Sequence, residues 1–227
     1  MQDNEIQLAV VDMAGTTVAD DGLVVEAFEA AADAGGLAPS GPEREHARQY
    51  VLDTMGQSKI TVFRALFDDE DTAQRANAAF EESYASLIAA GRAEPIPGAA
   101  EALARLRAGG IKVALSTGFS PDTQGKLISA LGWHDIADVV LAPGEGVRGR
   151  PYPDLILTAL LRTGADSVRS VAALGDTASD IESALRAGCA VAAGTLTGAH
   201  GERQLVAAGA THIVTSVSDF ADLLLKG

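Results

Sequence analysis

Carboxylate and hydroxyl side chains follow directly after three apolar runs of the sequence. They are Asp12, Asp176, Asp180 and Thr117. Carboxylate oxygens suit Mg²⁺, and a hydroxyl beside turn N–H groups can bind phosphoryl oxygens. Arg150, which follows a glycine in a later loop, could balance their charge. Singly, such residues are more often turns or helix caps, but together they predict chemistry on a phosphoryl group.

The elements that must position these residues are short apolar runs that alternate with helical patterns. Continuous apolar runs are expected for parallel strands covered on both faces. The alternation predicts an α/β fold with a Rossmann-like, doubly wound parallel sheet, whose strand carboxyl ends form the ligand site. The predicted strands are Ile6–Val11, Ile111–Ser116, Asp138–Leu141, Val171–Leu174, Cys189–Ala193 and His212–Val214, and the predicted helices include Ala99–Ala108, Pro121–Leu131, Pro153–Arg162 and Ser179–Ala187.

One stretch, from about Val18 to Arg92, breaks the alternation, because it contains only helical patterns. It is too long for a connection between two elements of the sheet. Gly91–Gly98, which carries two prolines, is typical of a linker that returns to the first domain. We therefore predict an all-helical domain of residues 18–92 inserted into an α/β domain of residues 1–17 and 93–227. The helical patterns are Val24–Ala34, Ile60–Phe67 and Asp71–Ala90.

Composition limits the partners of the protein. The chain has 17 Lys+Arg and 31 Asp+Glu, a formal net charge of −14, which is unsuited to a nucleic-acid backbone or an anionic membrane. No apolar run approaches the ~18 residues of a membrane span. Cys189 lies in an apolar run, where a small buried hydrophobe is expected, and a single cysteine fits a reducing compartment. We therefore expect a soluble cytoplasmic protein whose partner is neither a nucleic acid nor a membrane.

Two further features favour ordinary structural roles. The four histidines show no metal-ligand spacing, so we expect none of them to bind a metal. The segment Gly194–Gly201 contains three glycines. It is either a mobile loop near the site or a simple connection from strand to helix.

Over its whole length the sequence resembles the haloacid dehalogenase superfamily of phosphoryl-transfer enzymes. In that family the Asp after the first strand is a nucleophile that forms an aspartyl-phosphate, which Asp12 matches. A Thr or Ser after the second strand binds the phosphoryl group, as Thr117 would, and a basic residue, usually Lys, is matched by Arg150. The family motif GDxxxD binds Mg²⁺ and is matched by Asp176 and Asp180. The helical insert is similar to the family's mobile cap, whose closure excludes water.

The resemblance also implies how the metal is held. Mg²⁺ would be bound by Asp12, the carbonyl of Ala14 and Asp176, with Asp180 supporting that set. Most phosphatases of the superfamily carry a second Asp at the position of Ala14, which acts as an acid toward the leaving group. Its loss should lower ester hydrolysis by about 10²–10⁴-fold. The run from Asp12 to Thr17, with Arg150 in place of Lys, instead resembles phosphonoacetaldehyde hydrolases (phosphonatases), which cleave a carbon–phosphorus bond.

A second match lies in the insert, where Met55-Gly56-Gln57-Ser58-Lys59 resembles the phosphonatase segment Met-Gly-x-x-Lys. The lysine of that segment forms a Schiff base with the substrate aldehyde. An iminium at Lys59 would be an electron sink, so the carbon fragment could leave as an enamine without an acid at position 14. A lone lysine is otherwise usually a solvated surface residue. The substrate-binding residues implied are Ala14, Gly15, Thr16, Met55, Gly56, Thr117, Gly118 and Arg150.

Three positions depart from the phosphonatases. Val62 stands in place of a His, Phe119 in place of an aromatic hydroxyl and Gly22 in place of a Cys. These departures affect the proton transfers of Schiff-base formation.

The leading hypothesis is a Mg²⁺-dependent, phosphonatase-like hydrolase of a small phosphonate or phosphorylated metabolite. The first alternative is a phosphomonoesterase for a small metabolite such as phosphoglycolate or a sugar phosphate, with its acid supplied by solvent or by the cap, where Asp20 and Asp21 are the candidates. The second is a non-catalytic module that binds phosphate. Phosphonatases are commonly dimers through their caps, so the resemblance also implies a homodimer.

Overall fold

A computed structural model describes residues 5–226, which contain a sheet of six parallel strands. All six predicted strands are present, with bounds that differ from the predicted ones by at most two residues. The strands are β1 (Leu8–Asp12), β2 (Lys112–Ser116), β3 (Val139–Leu141), β4 (Val171–Gly175), β5 (Val191–Thr195) and β6 (His212–Val214). Their order in the sheet is β3-β2-β1-β4-β5-β6. This order confirms the predicted doubly wound α/β fold.

The register of the central strands places their carboxyl ends at one edge of the sheet. Asp12 of β1 pairs with Ser116 of β2, and Val11 of β1 pairs with Leu174 of β4. All residues of β1 and β4 are buried, because helices cover both faces of the sheet. The polar residues that follow these strands therefore leave the sheet side by side.

Ten α-helices accompany the sheet in the described part of the chain. Every helix that the sequence predicts is found within one residue of its predicted bounds. Three further helices, α2, α9 and α10, escaped prediction. The helices are α1 (Leu23–Ala34), α2 (Pro42–Asp53), α3 (Lys59–Leu66), α4 (Glu70–Ala89), α5 (Ala99–Ala108), α6 (Pro121–Leu131), α7 (Asp154–Thr163), α8 (Ala178–Ala187), α9 (Glu202–Ala207) and α10 (Val217–Leu225).

The three unpredicted helices have weak or local signals. α2 buries only Ala47 and Val51, so its apolar periodicity is faint. α9 has six residues, too few for a helical period to be recognised. α10 is preceded by Ser216, whose side chain accepts a hydrogen bond from the backbone N–H of Asp219. That capping pattern is a start signal that could have revealed α10.

The helical insert is the segment α1–α4 between β1 and α5, and it confirms the predicted all-helical insertion. Its most extensive internal contact joins α1 to α4. Where the chain enters and leaves the insert, two backbone hydrogen bonds join the paths: Ala19 N–H to Glu94 O and Ile96 N–H to Thr17 O, each 2.9 Å. The division into domains at residues 17/18 and 92/93 stays a prediction.

Two sequence expectations concern features outside the sheet edge. Cys189 is buried, and burial raises the pKa of its thiol to about 12, so it is the inert small hydrophobe that was expected. Within residues 5–226, no helix combines the length and the hydropathy needed to cross a bilayer.

Candidate active site

Arg150 joins the ends of three strands at the carboxyl edge of the sheet. Its side chain is 5% exposed. Nη1 lies 2.7 Å from Asp12 Oδ1, and Nε lies 2.8 Å from Asp180 Oδ1. Nη2 donates a hydrogen bond of 2.6 Å to Ser116 Oγ. Because each guanidinium nitrogen is engaged, Arg150 holds a fixed orientation toward the residues that follow β1, β2 and β4.

Asp180 links this arginine to the start of α8. Its second carboxylate oxygen, Oδ2, accepts hydrogen bonds from the backbone N–H and the hydroxyl of Thr177. Thr177 Oγ1 in turn accepts from the backbone N–H of Asp180, which completes a capping box. The turn between β4 and α8 is therefore rigid, and both oxygens of Asp180 already have partners.

The segment after β5 is hydrogen-bonded to Asp176. The backbone N–H of Ala199 donates to Asp176 Oδ2 at 2.7 Å, and that of His200 donates to Asp176 O at 3.2 Å. Thr197 Oγ1 donates to Gly15 O at 2.7 Å. His200 has a structural role, since its Nδ1 accepts from the backbone N–H of Ala178 at 2.9 Å. Of the two alternatives for Gly194–Gly201, the structure favours a connection that is hydrogen-bonded to the site.

The turn after β1 requires a glycine. Gly15 has φ +81°, and a Cβ there would collide with the carboxylate of Asp176. Thr16 Oγ1 donates to Asp176 Oδ1 at 3.4 Å, and Thr17 Oγ1 donates to Asp12 O at 3.0 Å. The turn thus brings the first and fourth strand ends into direct contact.

The three carboxylates form a cluster suited to a cation. Ligand oxygens of Asp12, Asp176 and Asp180 all lie within 4.8 Å of one another, and all three residues are buried. Burial raises the pKa of Asp12 to about 7; Arg150 opposes this rise and Asp180 adds to it. Burial also raises the pKa of Asp176, and the charges of Asp12 and Asp180 raise it further. One guanidinium does not balance three carboxylates, so this hard oxygen set fits a divalent cation such as Mg²⁺.

The Met55–Lys59 segment of the insert packs directly on this edge. Gly56 has φ +83°, and a Cβ there would strike Thr177 Oγ1. Gly56 O accepts a weak hydrogen bond of 3.4 Å from Arg150 Nη1. A Cβ at Gly118, the residue after Thr117, would lie 2.6 Å from Gly56 O. The close approach of the two backbones therefore depends on Gly118, and the packing of the segment against Thr177 depends on Gly56.

Lys59, the first residue of α3, points toward the sheet edge. It is 8% exposed, so its interpretation as a solvated surface lysine is wrong. Its Nζ lies 5.7 Å from the ring centroid of Phe80 and 5.5 Å from that of Phe119. Burial lowers the pKa of Lys59 from its ordinary 10.5 to about 8, although Asp20 and Asp12 oppose the decrease. The neutral fraction of this amine near physiological pH is therefore larger than that of a solvated lysine.

Most of the predicted site residues line one cavity of about 20 Å³. That volume accommodates about one water molecule, so the insert is closed over the site. Gly15, Thr16 and Asp180 lie behind the lining, where they hold Asp176 and Arg150. The predicted residues in the lining are Asp12, Ala14, Met55, Gly56, Lys59, Thr117, Gly118, Arg150 and Asp176.

Two larger cavities adjoin the site. One of about 470 Å³ is lined by Ala14, Asp20, Met55 and Asp176, among others, and opens between the insert and the sheet edge. Burial raises the pKa of Asp20. The other, of about 290 Å³, extends beyond Lys59.

Sequence reasoning missed three residues of the site. Ser116 binds Arg150 but lies inside an apolar run beside the more conspicuous Thr117. Thr177 was a recognisable cap signal, because Asp180 follows it by three residues. Tyr84 of α4 is fully buried against Phe119, with ring centroids 4.5 Å apart. Helical periodicity marks Tyr84 as inward-facing but offers no sign of its proximity to the site.

Comparisons with known proteins agree with this fold. The haloacid dehalogenase-like hydrolase family model matches residues 6–188. The chain is 30% identical over 216 residues to the phosphonoacetaldehyde hydrolase of Pseudomonas fluorescens (strain SBW25). This match covers 86% of this chain and 74% of that protein. A solved phosphonoacetaldehyde hydrolase-like protein from Oleispira antarctica has a TM-score of 0.81 at 22% identity, covering 99% of this chain and 96% of that one. A hydrolase from Pseudomonas syringae has a TM-score of 0.83 at 22% identity, with coverages of 97% and 98%.

Proposed function

The chain belongs to the haloacid dehalogenase-like hydrolase family, and we propose that it is a Mg²⁺-dependent, phosphonatase-like enzyme that cleaves the carbon–phosphorus bond of a small phosphonate aldehyde. The observation that carries this proposal is the buried amine of Lys59 in one cavity with the Asp12 carboxylate. In a hydrolase of simple phosphate esters an amine at this place could bind the anionic substrate, but the reaction needs no amine nucleophile. An amine with its pKa lowered to about 8 can attack a carbonyl carbon.

Residues at the sheet edge would bind and attack the phosphoryl group. Asp12 would be the nucleophile that attacks phosphorus. Thr117 and the backbone N–H groups of the turn after β1 would bind the phosphoryl oxygens. Arg150 is already oriented by Asp12, Ser116 and Asp180, so it could meet a phosphoryl oxygen with little reorganisation.

The carboxylate cluster would hold the metal. Asp12, the carbonyl of Ala14 and Asp176 are the proposed ligands of Mg²⁺. Asp180, whose oxygens bond Arg150 and Thr177, would support this set from behind. When bound, Mg²⁺ offsets the repulsion between the carboxylates and the phosphoryl group. A rise in melting temperature on adding Mg²⁺, lost in Asp176→Asn, would support this assignment.

Lys59 would bind the aldehyde fragment of the substrate covalently. Its free amine forms a C–N bond with the aldehyde carbon, and the carbonyl oxygen leaves as water with the two amine protons. A proton from solvent then converts the resulting imine to the iminium. Asp12 then attacks phosphorus, and the electron pair of the breaking C–P bond moves into the iminium to form an enamine. Water hydrolyses the aspartyl-phosphate to inorganic phosphate. Protonation of the enamine carbon and hydrolysis of the resulting imine release the product aldehyde and restore Lys59, so no acid is required at Ala14.

The test offers phosphonoacetaldehyde with Mg²⁺, measures phosphate release and then traps the imine with borohydride. We expect phosphate release and a reduced adduct that peptide mass spectrometry locates on Lys59. Lys59→Met, which keeps most of the buried volume, should lose both. Lys126→Met changes an exposed lysine of α6 and should retain both. Absence of phosphate and of adduct with the native chain would contradict the proposal.

A second candidate is a phosphomonoesterase for a small metabolite such as phosphoglycolate or a sugar phosphate. The observation that favours it is Asp20, which lines the 470 Å³ cavity with Ala14 and Asp176. Because burial raises its pKa, Asp20 could supply the proton that Ala14 lacks. If Lys59→Met hydrolyses a panel of phosphate esters at the native rate while Asp20→Asn does not, this candidate replaces the first.

A homodimer through the helical insert and a cytoplasmic location remain predictions. Light scattering on the purified chain tests the first. A mass equal to one chain at micromolar concentration would contradict it.

A further inference from the structure

Tyr84 carries a buried hydroxyl whose role the reaction so far leaves open. Its side chain is 0% exposed, and its oxygen has no hydrogen-bond partner among residues 5–226. Buried polar atoms are rarely left unpaired, because leaving them so is unfavourable. Burial raises the pKa of Tyr84, and the charges of Asp20 and Asp12 raise it further, so the hydroxyl stays protonated at neutral pH. It is therefore a buried hydrogen-bond donor with no acceptor among the described residues.

The ring of Tyr84 belongs to the aromatic wall that Lys59 faces. Its centroid lies 4.5 Å from that of Phe119 and 5.9 Å from that of Phe80. The Nζ of Lys59 lies within 6 Å of both of those centroids. Tyr84 thus contacts Phe119, the residue that lacks the hydroxyl found at its position in phosphonatases. Val62, at another of the departing positions, is buried and carries no proton donor.

We propose that Tyr84 is a catalytic residue, which hydrogen-bonds the carbonyl oxygen of the substrate and transfers the protons of imine formation at Lys59. This inference rests on the proposed function, since it requires an aldehyde at Lys59. The hydroxyl of Tyr84 on α4 would carry out the proton transfers for which positions 62, 119 and 22 have no suitable group.

The proton transfers balance without any further reactant. As Lys59 Nζ forms its C–N bond, the C=O π pair moves to oxygen; Tyr84 gives its proton to that oxygen and receives one from the nitrogen. A neutral carbinolamine results, and the tyrosine is restored. Tyr84 then protonates the departing oxygen and receives the remaining nitrogen proton, so the C–O bond breaks and water leaves. A proton from solvent converts the imine to the iminium.

The test is Tyr84→Phe, which removes one oxygen and keeps the stacked ring. Adduct formation is followed in EDTA with phosphonoacetaldehyde and a hydride donor, so that it reports imine formation without the metal-dependent step. We expect the rate of trapping at Lys59 to fall by about 100-fold or more. Tyr50→Phe, which changes a half-buried tyrosine of α2, is the matched control and should trap within twofold of the native rate.

A second measurement separates catalysis from folding. Tyr84→Phe should still bind Mg²⁺ with beryllium fluoride, a phosphoryl mimic that reports an intact sheet edge. Slow trapping with intact fluoride binding supports the inference. Loss of both shows a merely structural role and overturns it, as does trapping at the native rate. If the native chain itself forms no adduct, the proposed function fails as well, which distinguishes the two failures.

Discussion

The two halves of the candidate site are built differently. In the sheet half, formed by Asp12, Ser116, Arg150, Asp176 and Asp180, each side chain has a polar partner. In the insert half, formed by Lys59, Asn77, Phe80 and Tyr84, the cation faces the ring of Phe80 and the ring of Phe119, which follows β2 at the sheet edge, and Asn77 Oδ1 and Tyr84 OH have no hydrogen-bond partner in the described part of the chain.

This difference indicates which half has its polar side chains already paired in the absence of a substrate. Three strand ends held in register can preorganise carboxylates and an arginine for a phosphoryl group. The insert contacts that edge where Gly56 meets Gly118, and two of its buried polar atoms have no partner among the described residues. Under the proposed function, the sheet half would bind the phosphoryl group and the insert half would select the carbon fragment.

Asp12→Asn should separate the two halves most strongly. Removing the proposed nucleophile should lower phosphate release by about 10⁴-fold or more. The borohydride adduct at Lys59 should persist, because imine formation does not involve Asp12. Phosphate assays and peptide mass spectrometry check both statements. Asp122→Asn, at an exposed carboxylate of α6, is the control. Loss of the adduct together with phosphate release would show that the halves do not act independently.

The pH dependence of trapping should report the protonation of Lys59, whose pKa depends on charges from both halves, Asp20 and Asp12 among them. Only the neutral amine reacts, and the pKa of Lys59 is lowered to about 8. The trapping rate, measured with cyanoborohydride, should therefore rise about tenfold per pH unit below pH 8 and level off above it. Asp20→Asn removes a charge that raises this pKa, so the profile should move to lower pH. A rate that still rises tenfold per unit at pH 10 would contradict a buried, reactive lysine.

Gly56→Ala should disturb the contact between the halves. The added Cβ meets Thr177 Oγ1 at φ +83°, so the segment that carries Lys59 must shift. A displacement near 1 Å can lower turnover by about 10²-fold. Gly36→Ala is the matched control, because Gly36 has φ +82° and nothing within 4 Å of its added Cβ. It should lower the melting temperature while kcat/KM stays unchanged. Equal kinetic losses in both variants would mean that backbone strain, not contact, is responsible.

The smallest effects concern stability. Ser116→Ala leaves Arg150 Nη2 without its partner and should lower the free energy of unfolding by about 1–3 kcal/mol. Tyr84→Phe removes an atom that has no partner, so stability should be unchanged or slightly higher. Urea denaturation of the two variants, without Mg²⁺, makes the comparison. Similar losses in both would show that the hydroxyl of Tyr84 has a partner in solution.

The sequence by itself was sufficient to predict the sheet and the polar residues at the carboxyl ends of its strands. Continuous apolar runs identified all six strands, and the placement of ligands at strand carboxyl ends identified Asp12, Thr117 and Asp176. The insert was recognisable because its helical patterns interrupt the alternation. These features are local in sequence, so periodicity and turn chemistry reveal them.

Only the tertiary structure decided the environment of Lys59 and the neighbours of Tyr84. Periodicity shows which face of a helix is buried, but it does not show which residues from other elements meet that face. The packing of α3 and α4 over the sheet edge decides that Lys59 faces Phe80 and Phe119, and that Tyr84 stacks on Phe119. Burial and neighbouring charges, which are properties of that packing, then lower the pKa of the amine and leave the hydroxyl without a partner.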